Sequence, residues 1–117
     1  MRGMNKVMLV GRVGMEPELR QGQSGNPWMR LSLATGRAVR KDGDWDEATD
    51  WHRVHLFGKN AERCMQRVRK GSTVGVEGQV AYEEWTDDSG AKRRTARVLA
   101  DRVHFIANLR EAPAEAK

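Results

Sequence analysis

Hydrophobic positions recur along this chain at two periods. Residues 49–57, T-D-W-H-R-V-H-L-F, alternate between two classes of side chain, which is the period-two signature of a strand. Alternate strand residues share a face, so Trp51, Arg53, His55 and Phe57 fall on one side and His52, Val54 and Leu56 on the other. Arg53 has no place in a dry core without a partner, so the second face turns inward and both rings point outward. Residues 5–13 predict a first strand, with Val7, Leu9 and Val13 on one face and Gly11 and Gly14 permitting a bulge or bend. Residues 16–27 are turn-rich through Pro17, Gly22, Gly25 and Pro27. A second strand over 28–39 alternates Met29, Leu31 and Leu33 with Arg30, Ser32 and Ala34, and the polar stretch 40–48 reads as a loop. The 49–57 strand is then third.

The helical period occurs once, over 60–70, where Ala61, Cys64, Met65 and Val68 make one apolar stripe. Asn60 can cap its first turn, Glu62 and the basic Arg67, Arg69 and Lys70 suit the two ends of its dipole, and Gly71 supplies a left-handed stop. A fourth strand begins at Ser72, with Val74, Val76, Val80 and Tyr82 as buried candidates and Gly75 and Gly78 allowing curvature. It reaches Trp85, turns over 86–90 and returns as a fifth strand over about 92–105.

Five strands with a helix between the third and fourth is the order of an OB-fold, which binds oligonucleotides on its strand 2–3 face and loops. The expected fold is therefore all-β with one helix: a five-stranded Greek-key barrel with a long hairpin between the last two strands. Residues 1–110 make the domain and 111–117 a short flexible tail.

At 117 residues the chain suits one domain with one core. Its formal charge of +5 fits a polyanionic partner, although many proteins this basic bind none. The single cysteine, Cys64, excludes an internal disulfide, fits a reducing compartment and reads as a small core residue. The early apolar run over 7–10 is too short for an export signal or a membrane span, so the expected setting is cytoplasmic, at the nucleoid, with no membrane partner.

Three clusters can feed a nucleic-acid surface. The first is Trp51, Arg53 and Phe57 with Lys59 beyond; the second is Trp85 with Lys92, Arg93, Arg94 and Arg97; the third is Arg30, Arg37, Arg40 and Lys41. Rings interleaved with cations stack unpaired bases and neutralise their backbone; alternatively, a ring covers a sheet edge or folds onto its own hairpin. Trp28 reads as packing, and Trp45, in an acidic stretch, has no evident role. Catalytic and cofactor readings fail. His52, His55 and His104 lack metal-ligand spacing. Asp42, Asp44 and Asp46 begin a calcium-loop pattern that breaks at Glu47 and Arg53. Gly58-Lys59 lacks the upstream loop of a nucleotide site, and no nucleophile-base arrangement stands out. A non-enzyme without cofactor or metal is expected.

The chain resembles the bacterial single-stranded DNA-binding proteins. Five ordered blocks carry the resemblance: N-K-V-M-L-V-G-R-V-G-M-E-P-E-L-R (5–20), L-A-T (33–35), W-H-R-V-H-L-F-G-K (51–59), R-K-G-S-T-V-G-V-E-G (69–78) and W-T-D-D-S-G (85–90). The resemblance implies an OB-fold subunit of a homotetramer that binds single-stranded DNA without strict sequence choice in replication, recombination and repair. It implies stacking by Trp51, Phe57 and Trp85, phosphate contacts from Arg53, Lys59, Lys70 and Arg93, and a subunit-interface position for His52; Arg37 joins the binding set from the third cluster. Three departures stand out. A third stacking tryptophan of the family aligns with Val39, with Trp45 as a candidate substitute. Glu83 and Glu84 replace commonly basic residues before Trp85 and should weaken DNA contact along that arm. The family's acidic tip, which recruits replication and repair proteins, has no counterpart in 111–117, so recruitment is expected to differ. Two other readings of an OB-fold stay open at this stage: a replication-restart adaptor that bridges proteins, and an RNA-binding module.

Overall fold

The structure is a computed structural model and describes residues 1–108. It contains β1 (Val7–Val13), β2 (Leu19–Gln21), β3 (Pro27–Lys41), β4 (Asp44–Phe57), α1 (Lys59–Arg67), β5 (Ser72–Thr86) and β6 (Lys92–Asn108). The sheet order is β1-β5-β6-β4-β3-β2, and β1 also pairs with β3 at Arg12–Ala34 and Val13–Leu33, which closes the barrel. The pairing of β4 with β6 is parallel, at Val54–Val98 and His55–Leu99, while the other ladders are antiparallel. This is the expected OB-fold, with the short β2 added at the free edge of β3.

The core follows strand alternation. Met29, Leu31 and Leu33 of β3 meet Val54 and Leu56 of β4, Val74 and Val76 of β5, Val98 of β6 and Val13 of β1. Ala61, Cys64 and Val68 close one end of the barrel. Burial pushes the Cys64 thiol up to about 11, the behaviour of an inert core thiol.

Several elements depart from the sequence expectation. The stretch 40–48 is not a loop: β3 and β4 run on to a two-residue turn, Asp42-Gly43, with φ of 54° and 86°. Positive φ at both positions is the type I′ geometry whose twist matches paired strands. Its flanks are polar because this ribbon projects beyond the barrel, where neither side has a core to cover. Opposite charges face each other at Lys41–Asp44, and Arg40 lies 5.2 Å from the Trp45 ring. Likewise, β5 and β6 outrun the barrel, so Tyr82 is exposed, with Arg94 over its ring at 4.0 Å.

The helix is shorter than expected at its C-terminal end. Gly58 occupies the N-cap position, while the Asn60 amide donates to the Asp101 carbonyl, so Asn60 does not cap. Val68 is already extended, and Gly71, at φ 94°, turns the chain into β5. Met65 lies outside the buried stripe and is exposed, because the barrel end admits only the line of Ala61, Cys64 and Val68. The proposed tail, 111–117, and the last two residues of the expected domain lie outside the described residues.

Adjacent residues at the end of β4 should respond differently to truncation. Leu56→Ala opens the core and is expected to cost about 2–5 kcal/mol, whereas Phe57→Ala, half-exposed on the other side, should cost less than about 1 kcal/mol. Urea unfolding of the two variants measures the contrast.

Candidate nucleic-acid interface

Register determines which side chains share a surface. In the β3–β4 ladder, Trp28 faces Phe57, Arg30 faces His55, Ser32 faces Arg53 and Ala34 faces Trp51. Directly opposed residues point to the same side, so all eight lie on the outer side of the barrel, away from Leu31 and Val54. In the β5–β6 ladder, Trp85 faces Arg93, Glu83 faces Thr95 and Ala81 faces Arg97. Leu99 continues that row and pairs with His55, which joins the two ladders into one outer face. Trp51, Phe57 and Trp85 therefore look out from the same side, with Arg30, Arg53, Arg93 and Arg97 among them.

The rings are open. Trp51 retains 61 % of its exposure, Phe57 52 % and Trp85 49 %. Trp51 lies against Gly14, where an added Cβ would come within 2.4 Å of the ring. The glycine leaves room for the indole against the end of β1, where the chain leaves the strand. Arg30, Ser32, Trp51 and Arg53 line a cleft of about 250 Å³ on this side.

Most of the predicted binding residues converge. Lys59 opens α1 two residues beyond Phe57. Gly71 donates its N–H to the Val13 carbonyl, which brings the neighbouring Lys70 to the end of β1 that Trp51 covers. Arg93 stands opposite Trp85 with its Nε donating to Asp87 at 2.8 Å. Arg37 does not join them: it lies on the reverse of the β3–β4 ribbon, where its Nε donates to Asp50 at 2.7 Å. His52 is also on the reverse, half-buried, with its Nε2 2.8 Å from the Thr35 hydroxyl.

Sequence reasoning left the place of three members of this face unresolved. Trp45 has the same parity as Trp51 on β4 and is 67 % exposed, a relation visible only once 40–48 is recognised as a hairpin. Trp28 is half-buried but belongs to the same face, parallel to the His55 ring and beneath Arg20. Arg97 stands inside the face, not on a free arm. His55, expected to be exposed between the rings, is covered and only 9 % accessible. The two departures on the outgoing arm also separate: Glu83 shares the side of Trp85, while Glu84 lies on the reverse.

Comparison with known proteins bears on the family and the fold. The model of the single-strand binding protein family matches residues 4–106. The chain belongs to the single-strand binding protein family. A solved structure described as the Plasmodium falciparum SSB complex with ssDNA superposes with a TM-score of 0.81 at 26 % identity, covering 92 % of this chain and 98 % of that one. The family is a non-enzymatic one that binds single-stranded DNA. In this family member the open rings occupy the barrel wall and both projecting hairpins. Arg30, Arg53, Arg93 and Arg97 stand between them.

The tip of the β5–β6 hairpin is held by one carboxylate. Asp87 accepts from the Ser89 hydroxyl at 2.6 Å, the Ser89 and Ala91 amides at 3.0 and 2.9 Å, and Arg93 at 2.8 Å. The Ser89 hydroxyl first, then Arg93, hold its pKa below the ordinary aspartate range. A depressed pKa means that the turn is supported above the ordinary range and loosens as pH falls through the lowered value. The Ala91 amide resonance is therefore expected to titrate with a midpoint below that of an ordinary aspartate; a midpoint at or above it contradicts this assignment.

Proposed function

We propose that this chain binds single-stranded DNA without strict sequence preference. Bases stack on Trp51, Phe57 and Trp85, and Arg53, Lys59, Lys70 and Arg93 neutralise the phosphates. One observation carries the reading: three exposed rings share one cationic side of a barrel, backed by the buried Met29, Leu31, Leu33, Val54 and Leu56. Rings stack on every base alike, and cations attract a backbone common to all sequences, so neither interaction selects sequence. Arg37, held by Asp50 on the reverse, contributes only through the overall positive field.

Family membership supports a role in protecting exposed strands during replication, recombination and repair, in the cytoplasm, alongside replication and repair proteins. We also propose self-association, with a tetramer as the working state. Met8 and Val10 project from the outer side of β1, and residues 7–11 of β1 pair with β5 but not β3. That surface and the reverse side carrying His52 both leave the ring face free for DNA. Sedimentation analysis of the protein without DNA reads the assembly directly.

Removing a stacking platform should weaken binding without unfolding the chain. Trp51→Ala is expected to lose about 1–3 kcal/mol per subunit toward oligo-dT, roughly five- to 150-fold in affinity, with little change in melting temperature. Log affinity should fall with log salt at a slope of about −0.7 per phosphate contacted. Fluorescence titration with oligo-dT, oligo-U and duplex DNA makes the comparison. Equal affinity for duplex and single strand would overturn the proposal, and preference for oligo-U would reassign the substrate to RNA.

A further inference from the structure

Stacking and phosphate neutralisation as described leave His55, Arg30 and Arg97 on the outer face without a role. His55 sits in the middle of that face, yet its imidazole is covered. The Trp28 ring lies parallel to it, at an interplanar angle of 6° and a centroid distance of 6.4 Å. Charged groups approach from every neighbouring strand: Arg30 directly across on β3, Arg53 two residues along β4, Arg97 on β6 and Glu83 on β5. Three guanidinium groups thus surround one imidazole, with a single carboxylate opposing them.

Among the described residues, two buried side-chain nitrogens have no hydrogen-bond partner, His55 Nε2 and Arg97 Nε. Both belong to this cluster. A buried polar group left unpaired is costly; Arg97 Nε is a donor and His55 Nε2 becomes one when the ring is protonated, so their coincidence marks a place for an acceptor from outside. Arg30, Arg53 and Arg97 also make no salt bridge among the described residues. A phosphodiester is an anionic acceptor of the right chemistry for all of these groups.

We propose that Arg30, Arg53 and Arg97 around His55 form a phosphodiester subsite, and that the imidazole takes up a proton as the strand's phosphate settles there. The proposal rests on the single-stranded DNA reading above. In the free protein burial is the main influence on His55, followed by the charges of Arg97 and Arg30, and the imidazole is held below its ordinary value of 6.5 against the pull of Glu83. A phosphate over the cluster offsets the guanidinium charges and favours the imidazolium. The bound state then has the higher pKa, so affinity is greatest in acid. It falls as pH rises through the bound-state pKa and levels off above it.

The experiment is the affinity for oligo-dT between pH 5.5 and 8.5 at constant ionic strength, because thymine and the phosphodiester do not titrate there. Each unit by which binding raises the pKa is worth about tenfold in affinity; a loss of about three- to tenfold from the acid to the alkaline end is expected. His55→Gln should abolish the slope. His104→Gln should keep the slope, since that histidine is tied to Glu77 outside this cluster. A native protein with no slope, or a His55→Gln protein with the full slope, overturns the proposal. Failure to bind oligo-dT at any pH would instead reject the underlying DNA reading. If His55→Gln does not fold, calorimetry on the native protein in two buffers of different ionisation enthalpy decides the matter: proton uptake on binding near pH 6.5 supports the subsite and its absence overturns it.

Discussion

A pleated strand divides its side chains between two environments, and β4 makes that division at full strength. Leu56 is sealed in the core, while Phe57, the next residue, stands in solvent. The same step separates Val54 from Arg53. The buried side fixes the register of β4 against β3 and β6, since a slip of one residue would drive Arg53 and Trp51 into the barrel. What holds the barrel together therefore also aims the rings outward.

The neighbouring elements extend this arrangement. Closure of β1 on β3 brings Gly14 beneath Trp51, so the indole is supported from below without being covered. The parallel contact of β4 with β6 carries the outer face onto the second hairpin and delivers Trp85 to the same side. Asp87 orders the turn beyond it. The result is an open, cationic surface with a cleft beside Trp51 rather than an enclosed pocket. That shape suits a polymer held along its length.

Much of this was legible because strand alternation and barrel topology are local signals. The 49–57 pattern placed Trp51, Arg53 and Phe57 on one side and Val54 and Leu56 on the other, as found. The failures have physical causes. Residues 40–48 looked like a loop because a ribbon that leaves the barrel has no apolar face to declare it; only the Asp42-Gly43 pair carried the turn signal. Tyr82 was assigned to the core because alternation does not reveal where a long strand leaves the barrel. Asn60 was read as a cap from sequence position, but its amide is engaged by Asp101 across the fold. The covering of His55 depends on Trp28 and Arg97, which lie 27 and 42 positions away in the chain. No local pattern encodes such a meeting.

The central claim is that the outer rings, and not the core side chains behind them, receive the bases. Heteronuclear NMR during titration with oligo-dT tests this directly. The account predicts large ring-current shifts for the ring protons of Trp51, Phe57 and Trp85, with the methyl signals of Val54 and Leu56 nearly still. Rings that keep their free-state shifts while the strand binds elsewhere on the barrel would contradict it.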